Sequence, residues 1–146
     1  MFRGRFLHAI DEKGRIMVPA KFREELRTKY DERLIITNFD NCLVAYPFEE
    51  WRKLEEKLSQ KSWVKKEVRS FIRFFISGAT ECPLDDQGRV LIPPTLREYA
   101  ALEKEVVLAG MLNRIEIWNK ERWDQENRAS VENLDTLTEV LAELGV

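Results

Sequence analysis

The sequence predicts an α+β fold in which two pseudo-symmetric β-hairpin/helix repeats share one β-barrel-like core, with helices at its flanks. Residues 11–19 return at 85–93 with Asp, Gly, Arg and Pro at matching positions, and weaker matches extend across both halves. Because the chain has 146 residues, each half alone is near the lower size limit for burying a core. We therefore expect two repeats, residues 1–76 and 77–146, that together form one compact unit.

The two repeats align at a nearly constant offset. At an offset of 74 residues the matched pairs are Asp11 and Asp85, Gly14 and Gly88, Arg15 and Arg89, and Pro19 and Pro93. After a shorter loop in the second repeat the offset is 72, and Trp51 meets Trp123. Two copies are too few for a solenoid, so the repetition favours a paired arrangement.

Each repeat contains an Asp-x-x-Gly-Arg segment that predicts a tight turn leading into a strand. The Asp can cap its own backbone, and the Gly supplies the positive φ that such a turn needs. The Arg follows the Gly directly, so we expect its side chain to be exposed at the start of the strand. The apolar runs 16–18 and 90–92 are short and lack polar alternation, which is typical of strands buried on both faces. Pro19 and Pro93 end these strands and suit the first turn of a helix.

Hydrophobic periodicity and turn signals predict the other elements of the first repeat. The predicted strands are 5–10, 15–18, 34–37 and 42–46, and the predicted helices are 19–30, 48–59 and 62–75. Residues 38–41 form a good hairpin turn, and Ser62 is a suitable N-cap for the third helix. Apolar residues from Trp63 to Phe75 form a broad stripe on that helix.

The second repeat is predicted to have the same order of elements. Its strand, turn and strand lead into a helix at 93–101, hairpin strands near 105–109 and 114–118, and a helix from 119. Apolar residues of the tail, between Val131 and Leu144, are spaced as one helical face. The apolar stripes on 62–75 and 131–144 exceed what one small domain buries, so we expect them to mark interfaces.

Composition and charge indicate a soluble globular protein with a polarised charge distribution. The formal net charge is −2 and the pI is about 5.6, which argues against indiscriminate binding to nucleic acid. Residues 1–23 nevertheless carry six Lys or Arg against two acids, whereas residues 129–146 carry four acids and no base. No apolar run approaches the length of a membrane span, and the N-terminus lacks the apolar region of a signal peptide. Cys42 and Cys82 are interpreted as buried free thiols, and a cytoplasmic location is expected.

Arg15 and Arg89 are the strongest candidates for a binding site, and two interpretations remain open. In the first, each Arg pairs with its own Asp, Asp11 or Asp85, and only stabilises the turn. In the second, the Arg contacts DNA, because Arg is the side chain that reads guanine bidentately in the major groove. The two interpretations are compatible, since the Asp can orient the Arg toward DNA.

Other basic residues near the first turn are candidates for phosphate contacts. We favour this role for Arg3, Arg5 and Lys13, which flank the turn in the sequence. Lys21 and Arg23 lie on the following helix, where solvated surface is the more common role. A further basic stretch is interpreted as the polar face of an amphipathic helix: Lys65, Lys66, Arg69 and Arg73.

The sequence offers no convergent set of residues for catalysis or metal binding. His8 is the only His, no partner is placed beside it by sequence, and we expect a packed or surface side chain on a strand. The acidic pairs 11–12 and 85–86 are better explained as turn caps, because no phosphate loop, HExxH or nucleophile motif accompanies them. The four Trp fall on apolar faces, which favours a core role over base stacking. We therefore predict no enzyme activity, no metal, no cofactor and no small-molecule substrate.

The doubled motif resembles a known family. Asp-x-x-Gly-Arg-[Ile/Val]-x-[Val/Ile]-Pro occurs twice, each time with a Trp roughly 30 residues later, and residues 73–79 add Arg-Phe-Phe followed by Ser-Gly-Ala. Together these residues resemble the MraZ family, whose halves are similar to the AbrB-like swapped-hairpin DNA-binding module. The resemblance covers nearly the whole chain, from residue 2 to residue 118.

This resemblance implies a sequence-specific bacterial transcriptional regulator that binds double-stranded DNA. Its Arg-bearing turns, supported by Asp11, Gly14, Asp85 and Gly88, are then expected to contact short direct repeats in a promoter. The resemblance also implies control of the division and cell-wall gene cluster, including the chain's own promoter, a ring-shaped homo-oligomer and association with the nucleoid.

Two other classes of function are weighed against this one. An AbrB-fold protein-interaction module of the antitoxin type would use its helices to clasp a partner protein, and the acidic tail and apolar helix faces suit that role. An enzyme is disfavoured, because no His, Cys and carboxylate set converges in the sequence.

Overall fold

The computed structural model describes residues 1–61 and 64–146 as six helices and eight strands. The first repeat contains β1 (Arg5–Ala9), β2 (Arg15–Met17), α1 (Ala20–Lys29), β3 (Arg33–Phe39), β4 (Cys42–Pro47), α2 (Phe48–Ser59) and α3 (Lys66–Ser77). The second contains β5 (Thr80–Pro83), β6 (Arg89–Leu91), α4 (Pro94–Tyr99), β7 (Glu105–Gly110), β8 (Ile115–Asn119), α5 (Lys120–Glu132) and α6 (Leu134–Glu143). The helix predicted at 62–75 therefore begins at Lys66, and its predicted cap Ser62 and the neighbouring Trp63 lie outside the described residues.

Most of the strands form one antiparallel sheet to which both repeats contribute. Its strand order is β1-β7-β8-β4-β3-β5, while β2 and β6 pair antiparallel in a separate two-stranded sheet. Strand β4 is buried along its whole length, since it lies near the centre of the larger sheet and both of its faces are covered. The fold is therefore mixed α+β with a mainly antiparallel sheet, as the sequence predicts.

The first strand of each repeat pairs with the other repeat. Strand β1 lies beside β7, with Phe6 opposite Leu108. Strand β5 lies beside β3, with Thr80 opposite Ile36. These two residue pairs occupy equivalent positions at the repeat offsets of 74 and 72. Each repeat therefore completes the sheet of the other, and neither half holds its full set of hydrogen bonds alone.

The sheet separates two hydrophobic clusters. The cluster on one face joins both repeats: Ile16, Val18 and Phe22 pack with Val90 and Ile92, each with 2% or less of its surface exposed. The cluster on the other face contains Trp51, Phe75 and Trp118, also buried, which confirms the prediction that Trp51 and Trp118 are core residues. Trp123 is half-buried against Trp118, at 5.9 Å between ring centroids.

One prediction about the strands after the turns is wrong. They are not buried on both faces, because β2 and β6 form a two-stranded ribbon over the core. Ile16 and Val90 point inward at 0% and 1% exposure, whereas Leu91 is 56% exposed. The outward positions of the two strands hold the apolar residues Met17 and Leu91. The short runs therefore do not alternate in polarity, and the sequence pattern does not indicate an exposed face.

The C-terminal helix α6 lies at the surface. All of its residues are exposed, including the apolar side chains Leu134, Leu137, Val140 and Leu141. Among residues 1–61 and 64–146, no helix is both long enough and apolar enough to cross a membrane.

Candidate nucleic-acid interface

Both Asp-x-x-Gly-Arg segments fold into the same capped turn. In the first, Asp11 Oδ1 accepts hydrogen bonds from the backbone N–H groups of Lys13 (3.0 Å) and Arg15 (2.9 Å). The Gly14 N–H donates to the Asp11 carbonyl oxygen at 3.0 Å, and Gly14 has a φ of +89°, a conformation that strains any residue with a Cβ. A carboxylate oxygen thus satisfies two backbone donors that the turn would otherwise leave unpaired.

The second turn has the same geometry. Asp85 Oδ1 accepts from the backbone N–H groups of Gln87 and Arg89, both at 2.9 Å. Gly88 has a φ of +80°, and its N–H donates to the Asp85 carbonyl oxygen at 2.9 Å. The repeated sequence therefore produces a repeated local structure.

Each turn Arg is held by its own Asp. Arg15 Nε donates to Asp11 Oδ2 at 2.6 Å, and Arg89 Nε donates to Asp85 Oδ2 at 2.9 Å. The two Arg side chains are 31% and 26% exposed, less than the sequence suggests, because each lies along its turn. Among the described residues, the terminal guanidinium nitrogens of Arg15 and Arg89 have no hydrogen-bond partner. The Asp can therefore fix the direction of the side chain while the terminal nitrogens remain available to a ligand.

Hydrogen bonds from the turns keep both carboxylates ionised. The Arg15 backbone N–H is the largest influence, and together with the Arg15 side chain it lowers the pKa of Asp11. The Arg89 backbone N–H likewise lowers the pKa of Asp85. Both ion pairs therefore persist at neutral pH.

The two Arg side chains share one face of the β2–β6 ribbon. Arg15 lies opposite Leu91, and Met17 lies opposite Arg89. Residues directly opposite in an antiparallel pair point to the same side, so these four side chains face away from the core. Arg15 and Arg89 are diagonal neighbours in this register, with Cα atoms about 7–8 Å apart. The two turns thus present one surface with two arginines, which the sequence alone does not show.

The other predicted phosphate contacts are more dispersed. Lys13 is exposed within the first turn. Arg3 and Arg5 are exposed as well, but Arg5 begins β1 and Arg3 precedes it, so Arg5 is about 20 Å along the chain from Asp11. Arg5 Nη1 donates to Asn127 Oδ1 at 3.4 Å, and its guanidinium lies 5.7 Å from the centroid of the Trp123 ring. Proximity to the turn in sequence therefore does not become proximity in space.

Two helix arginines lie against the turns, and one of them is missing from the candidates predicted by sequence. Arg97 of α4 lies so close to Gly14 that a Cβ there would be 2.7 Å from Arg97 Nε. Arg23 of α1 lies in the same way against Gly88. Arg23 is half-buried and Lys21 is exposed. The repeat match between Arg23 and Arg97 is the signal in the sequence that pairs these residues.

Charge at the ribbon is nearly balanced. Five bases lie at the turns or against them: Lys13, Arg15, Arg23, Arg89 and Arg97. Four carboxylates belong to the same turns: Asp11, Glu12, Asp85 and Asp86. Since a large positive excess drives non-specific attraction to DNA, this balance favours recognition by directed contacts.

The thiols and the only His lie outside the two turns. Cys42 and Cys82 are free and buried, as predicted; burial raises the pKa of Cys82 to about 11 and raises that of Cys42 as well. His8 is half-buried on β1, opposite Val106. In the described part of the chain, no three or more His, Cys, Asp or Glu residues are grouped so as to hold a metal.

Comparison of the sequence with known proteins identifies the family of this chain. A family model described as "MraZ protein, putative antitoxin-like" matches twice, over residues 1–74 and 75–143. Proteins named "Transcriptional regulator MraZ" from Moorella thermoacetica and Desulfitobacterium hafniense are 45% and 49% identical to this chain, each over the full length of both chains. One from Syntrophobacter fumaroxidans is 48% identical over 99% of this chain and 97% of its own.

Among solved structures, the solution structure of PHS018 from Pyrococcus horikoshii aligns with 80% of this chain and 88% of its own at 16% identity. Its TM-score of 0.34 is too low to bear on the fold. The repeated family match and the full-length relatives are sufficient: the chain belongs to the MraZ family.

Proposed function

We propose that this chain is a sequence-specific bacterial DNA-binding transcriptional regulator and not an enzyme. The observation that carries the proposal is the outward face of the β2–β6 ribbon, where Arg15 and Arg89 are diagonal neighbours whose terminal nitrogens have no hydrogen-bond partner within residues 1–61 and 64–146. The name of the relatives, transcriptional regulator, agrees with this role.

The proposed mechanism is direct reading of the major groove. A B-DNA major groove is about 12 Å wide and admits a two-stranded β-ribbon. Arg15 and Arg89 then donate to the N7 and O6 acceptors of guanine, while Asp11 and Asp85 hold each Nε and so fix the direction of the guanidinium. Lys13 contacts a neighbouring phosphate from the same turn, and Arg3 and Arg5 contact phosphates farther along the duplex.

The family resemblance supports a proposal for the regulatory target. The proposed operator is a set of short direct repeats in the promoter of the division and cell-wall gene cluster, including the chain's own promoter. The protein then acts in the cytoplasm, associated with the nucleoid.

The proposed assembly is a ring-shaped homo-oligomer. Helix α6 carries exposed apolar residues, and the segment 129–146 has four acids and no base. Helix α3 exposes Phe71 and Phe74 at 37% and 43%, and it also carries the exposed bases Lys66 and Arg73. These surfaces are complementary in charge and both apolar, so α6 of one copy is suited to α3 of the next. A head-to-tail contact of this kind closes into a ring when its rotation permits.

We further propose that the two repeats of one chain are related by a pseudo-two-fold axis around a barrel-like core. The matched cross-repeat registers of β1 with β7 and of β5 with β3 support this arrangement. The β2–β6 ribbon then lies on the axis, which gives both Arg-bearing turns equivalent access to DNA.

The test is a binding titration with genomic DNA fragments selected for binding to the parent chain. Arg15→Ala is expected to abolish specific binding, because a bidentate base contact contributes about 1–3 kcal/mol per site and an oligomer multiplies the loss. Arg89→Ala is expected to weaken binding less, because the second turn has Gln87 where the first has Lys13.

Arg27→Ala on the exposed surface of α1 is the matched control, since it removes the same charge away from the ribbon. Circular dichroism melts and gel filtration accompany each titration. The proposal fails if Arg15→Ala binds the selected fragments like the parent, or loses binding only because it unfolds.

A protein-interaction module of the antitoxin type is the second candidate. The exposed apolar face of α6 favours it, since such faces clasp partner proteins. Electrophoretic shift assays with genomic fragments separate the two candidates, because only a DNA-binding regulator shifts a specific fragment.

A further inference from the structure

We propose that Arg23 and Arg97 are positioning residues that hold the two DNA-facing turns in a crossed manner. Arg97, in the second repeat, packs against the turn that carries Arg15. Arg23, in the first repeat, packs against the turn that carries Arg89. The effect of these residues on DNA binding rests on the proposed function. The contacts between the repeats are observed in the chain itself.

The first observation is a close approach across the repeats. A Cβ at Gly14 would lie 2.7 Å from both Arg97 Nε and Arg97 Cζ. A Cβ at Gly88 would lie 2.6 Å from Arg23 Cδ and 2.8 Å from Arg23 Nη1. Real Cβ atoms do not approach other atoms this closely, so in this arrangement each Arg occupies space that a Cβ at the turn would need. Each turn Gly is therefore a contact surface for the opposite repeat as well as a backbone requirement.

The second observation is that both helix arginines are anchored on the backbone of their own repeat. Arg97 Nε donates to the Ile92 carbonyl oxygen at 3.0 Å, and Arg23 Nε donates to the Val18 carbonyl oxygen at 3.0 Å. Both side chains are half-buried. An anchored, planar guanidinium is a rigid support, since its geometry is fixed by the hydrogen bond.

The third observation connects these anchors to the turns through backbone hydrogen bonds. The Ile92 N–H donates to the Gly14 carbonyl oxygen at 2.9 Å, and the Val18 N–H donates to the Gly88 carbonyl oxygen at 3.0 Å. Hydrogen bonds therefore connect Arg97 through Ile92 to Gly14, against which Arg97 also packs. The equivalent contacts in the other direction connect Arg23 through Val18 to Gly88. A displacement of Arg97 is transmitted to the turn that carries Arg15, not to the turn of its own repeat.

A positioning role follows from where the guanidinium groups lie. Each packs against the Gly of a turn, and the residue that follows this Gly is the proposed base-reading Arg. Binding sites need their contacting groups held to within about 0.5 Å, and residues behind the contact usually supply that support. Loss of Arg97 therefore leaves the Arg15–Asp11 pair intact but frees the turn to move.

Hydrogen exchange measured by mass spectrometry tests the crossed contact without DNA. We expect Arg97→Ala to accelerate exchange in the peptide covering 11–15 more than in the peptide covering 85–89. Arg23→Ala is expected to give the reverse pattern, and Arg27→Ala is expected to change neither. Acceleration confined to the turn of the mutated repeat overturns the proposal, as does no change in either turn.

DNA titrations at several salt concentrations separate positioning from direct phosphate contact. The probe is a duplex recovered by selection with the parent chain. For a positioning residue, Arg97→Ala and Arg97→Lys both weaken binding by about tenfold or more, and the slope of log affinity against log salt stays unchanged. For a phosphate contact, the Lys variant binds like the parent and the Ala variant reduces the slope by about 0.9, which contradicts the proposal.

The two Arg97 variants also show whether a loss of DNA binding results only from unfolding. Arg97→Lys retains the charge and the aliphatic stem, and circular dichroism melts report whether either variant unfolds. If the parent chain selects no DNA at all, the proposed function fails. The hydrogen-exchange rates of the two turns still show whether Arg97 and Arg23 support the turn of the opposite repeat.

Discussion

At the scale of single residues, Asp11 and Asp85 combine the two interpretations that the sequence leaves open. Each carboxylate caps the backbone of its turn and pairs with the Arg that follows. Stabilising the turn and contacting DNA are therefore compatible roles for one Arg side chain, because its Nε is paired with the Asp while its terminal nitrogens can serve the proposed contact. The local motif was sufficient to predict this turn, since all of its partners lie within four residues.

Acid should remove the contribution of these pairs to stability. Folding lowers the pKa of Asp11 below its ordinary value of 3.8, so its stabilisation is fully present above that value and is lost as pH falls through the lower native pKa. We expect the difference in free energy of unfolding between the parent and Asp11→Asn to be constant from neutral pH to about pH 5 and to narrow below about pH 4.

Denaturant melts across this pH range measure that difference. Glu12→Gln serves as the control, because it neutralises the adjacent carboxylate in the same turn. Among the described residues, the Glu12 carboxylate has no hydrogen bond. A difference for Asp11→Asn that stays constant down to the lowest pH would show that the ion pair does not contribute.

At the scale of elements, the sequence predicts the type and order of the helices and strands, except for the break at Asn133 that separates α5 from α6. Strong hydrophobic periodicity and turn residues at the element ends explain this success, as at the helix Phe48–Ser59, whose bounds match the prediction. Sequence does not reveal the partner of each strand, because β1 has the same local pattern whether it pairs within its repeat or across to β7. It also could not reveal that Arg15 and Arg89 share a face, since their proximity depends on the register of β2 with β6.

Helix α6 is expected to control assembly and to have little influence on the fold of one chain. Leu137→Glu and Leu141→Glu place charges on its exposed apolar face, so the oligomer should dissociate, while chain stability changes by only about 0.5 kcal/mol. Light scattering at micromolar concentration measures the mass.

The matched control for this experiment is Thr136→Glu, which adds the same charge on the polar side of α6. A parent chain that is only monomeric at micromolar concentration would exclude the proposed ring. If the parent and the two Leu variants form oligomers of equal mass, the interface between copies does not include the apolar face of α6.

At the scale of the whole molecule, the crossed strand pairing makes the two repeats mutually dependent. Strand β1 hydrogen-bonds to β7 and strand β5 to β3, while one hydrophobic cluster takes residues from both halves. The family match divides the two sequence repeats between residues 74 and 75, and we expect that this boundary does not separate two folding units.

Fragments 1–76 and 77–146 are expected not to fold as monomers. Each lacks the strand that pairs with its own first strand, and each is near the lower size limit for a core. Mixed in equal amounts, they should form a one-to-one complex with the circular dichroism spectrum of the parent. Analytical ultracentrifugation and thermal melts check both statements; a single fragment that is monomeric and melts cooperatively would contradict them.

Salt dependence tests the whole basic surface at once. If Lys13, Arg3 and Arg5 contact phosphates, operator affinity should fall with a log–log slope of about −0.9 for each contact. Single Ala variants at these positions should each reduce the slope by about that amount, as measured in titrations from low to moderate salt. Because Arg3 and Arg5 lie far from the turn, an unchanged slope for both would limit the DNA surface to the ribbon.

The pairing of β1 with β7 also has a consequence for synthesis on the ribosome. About 100 residues separate the two strands, and at 5–20 residues per second β1 waits roughly 5–20 s for its partner to be made. During that interval Phe6 and the apolar side of β1 have no native neighbour strand, and the growing chain is open to pairing with another nascent copy. A slow codon run or a stall before residue 105 would lengthen this exposure, so translation speed in the second half of the message should influence how much protein reaches the native state.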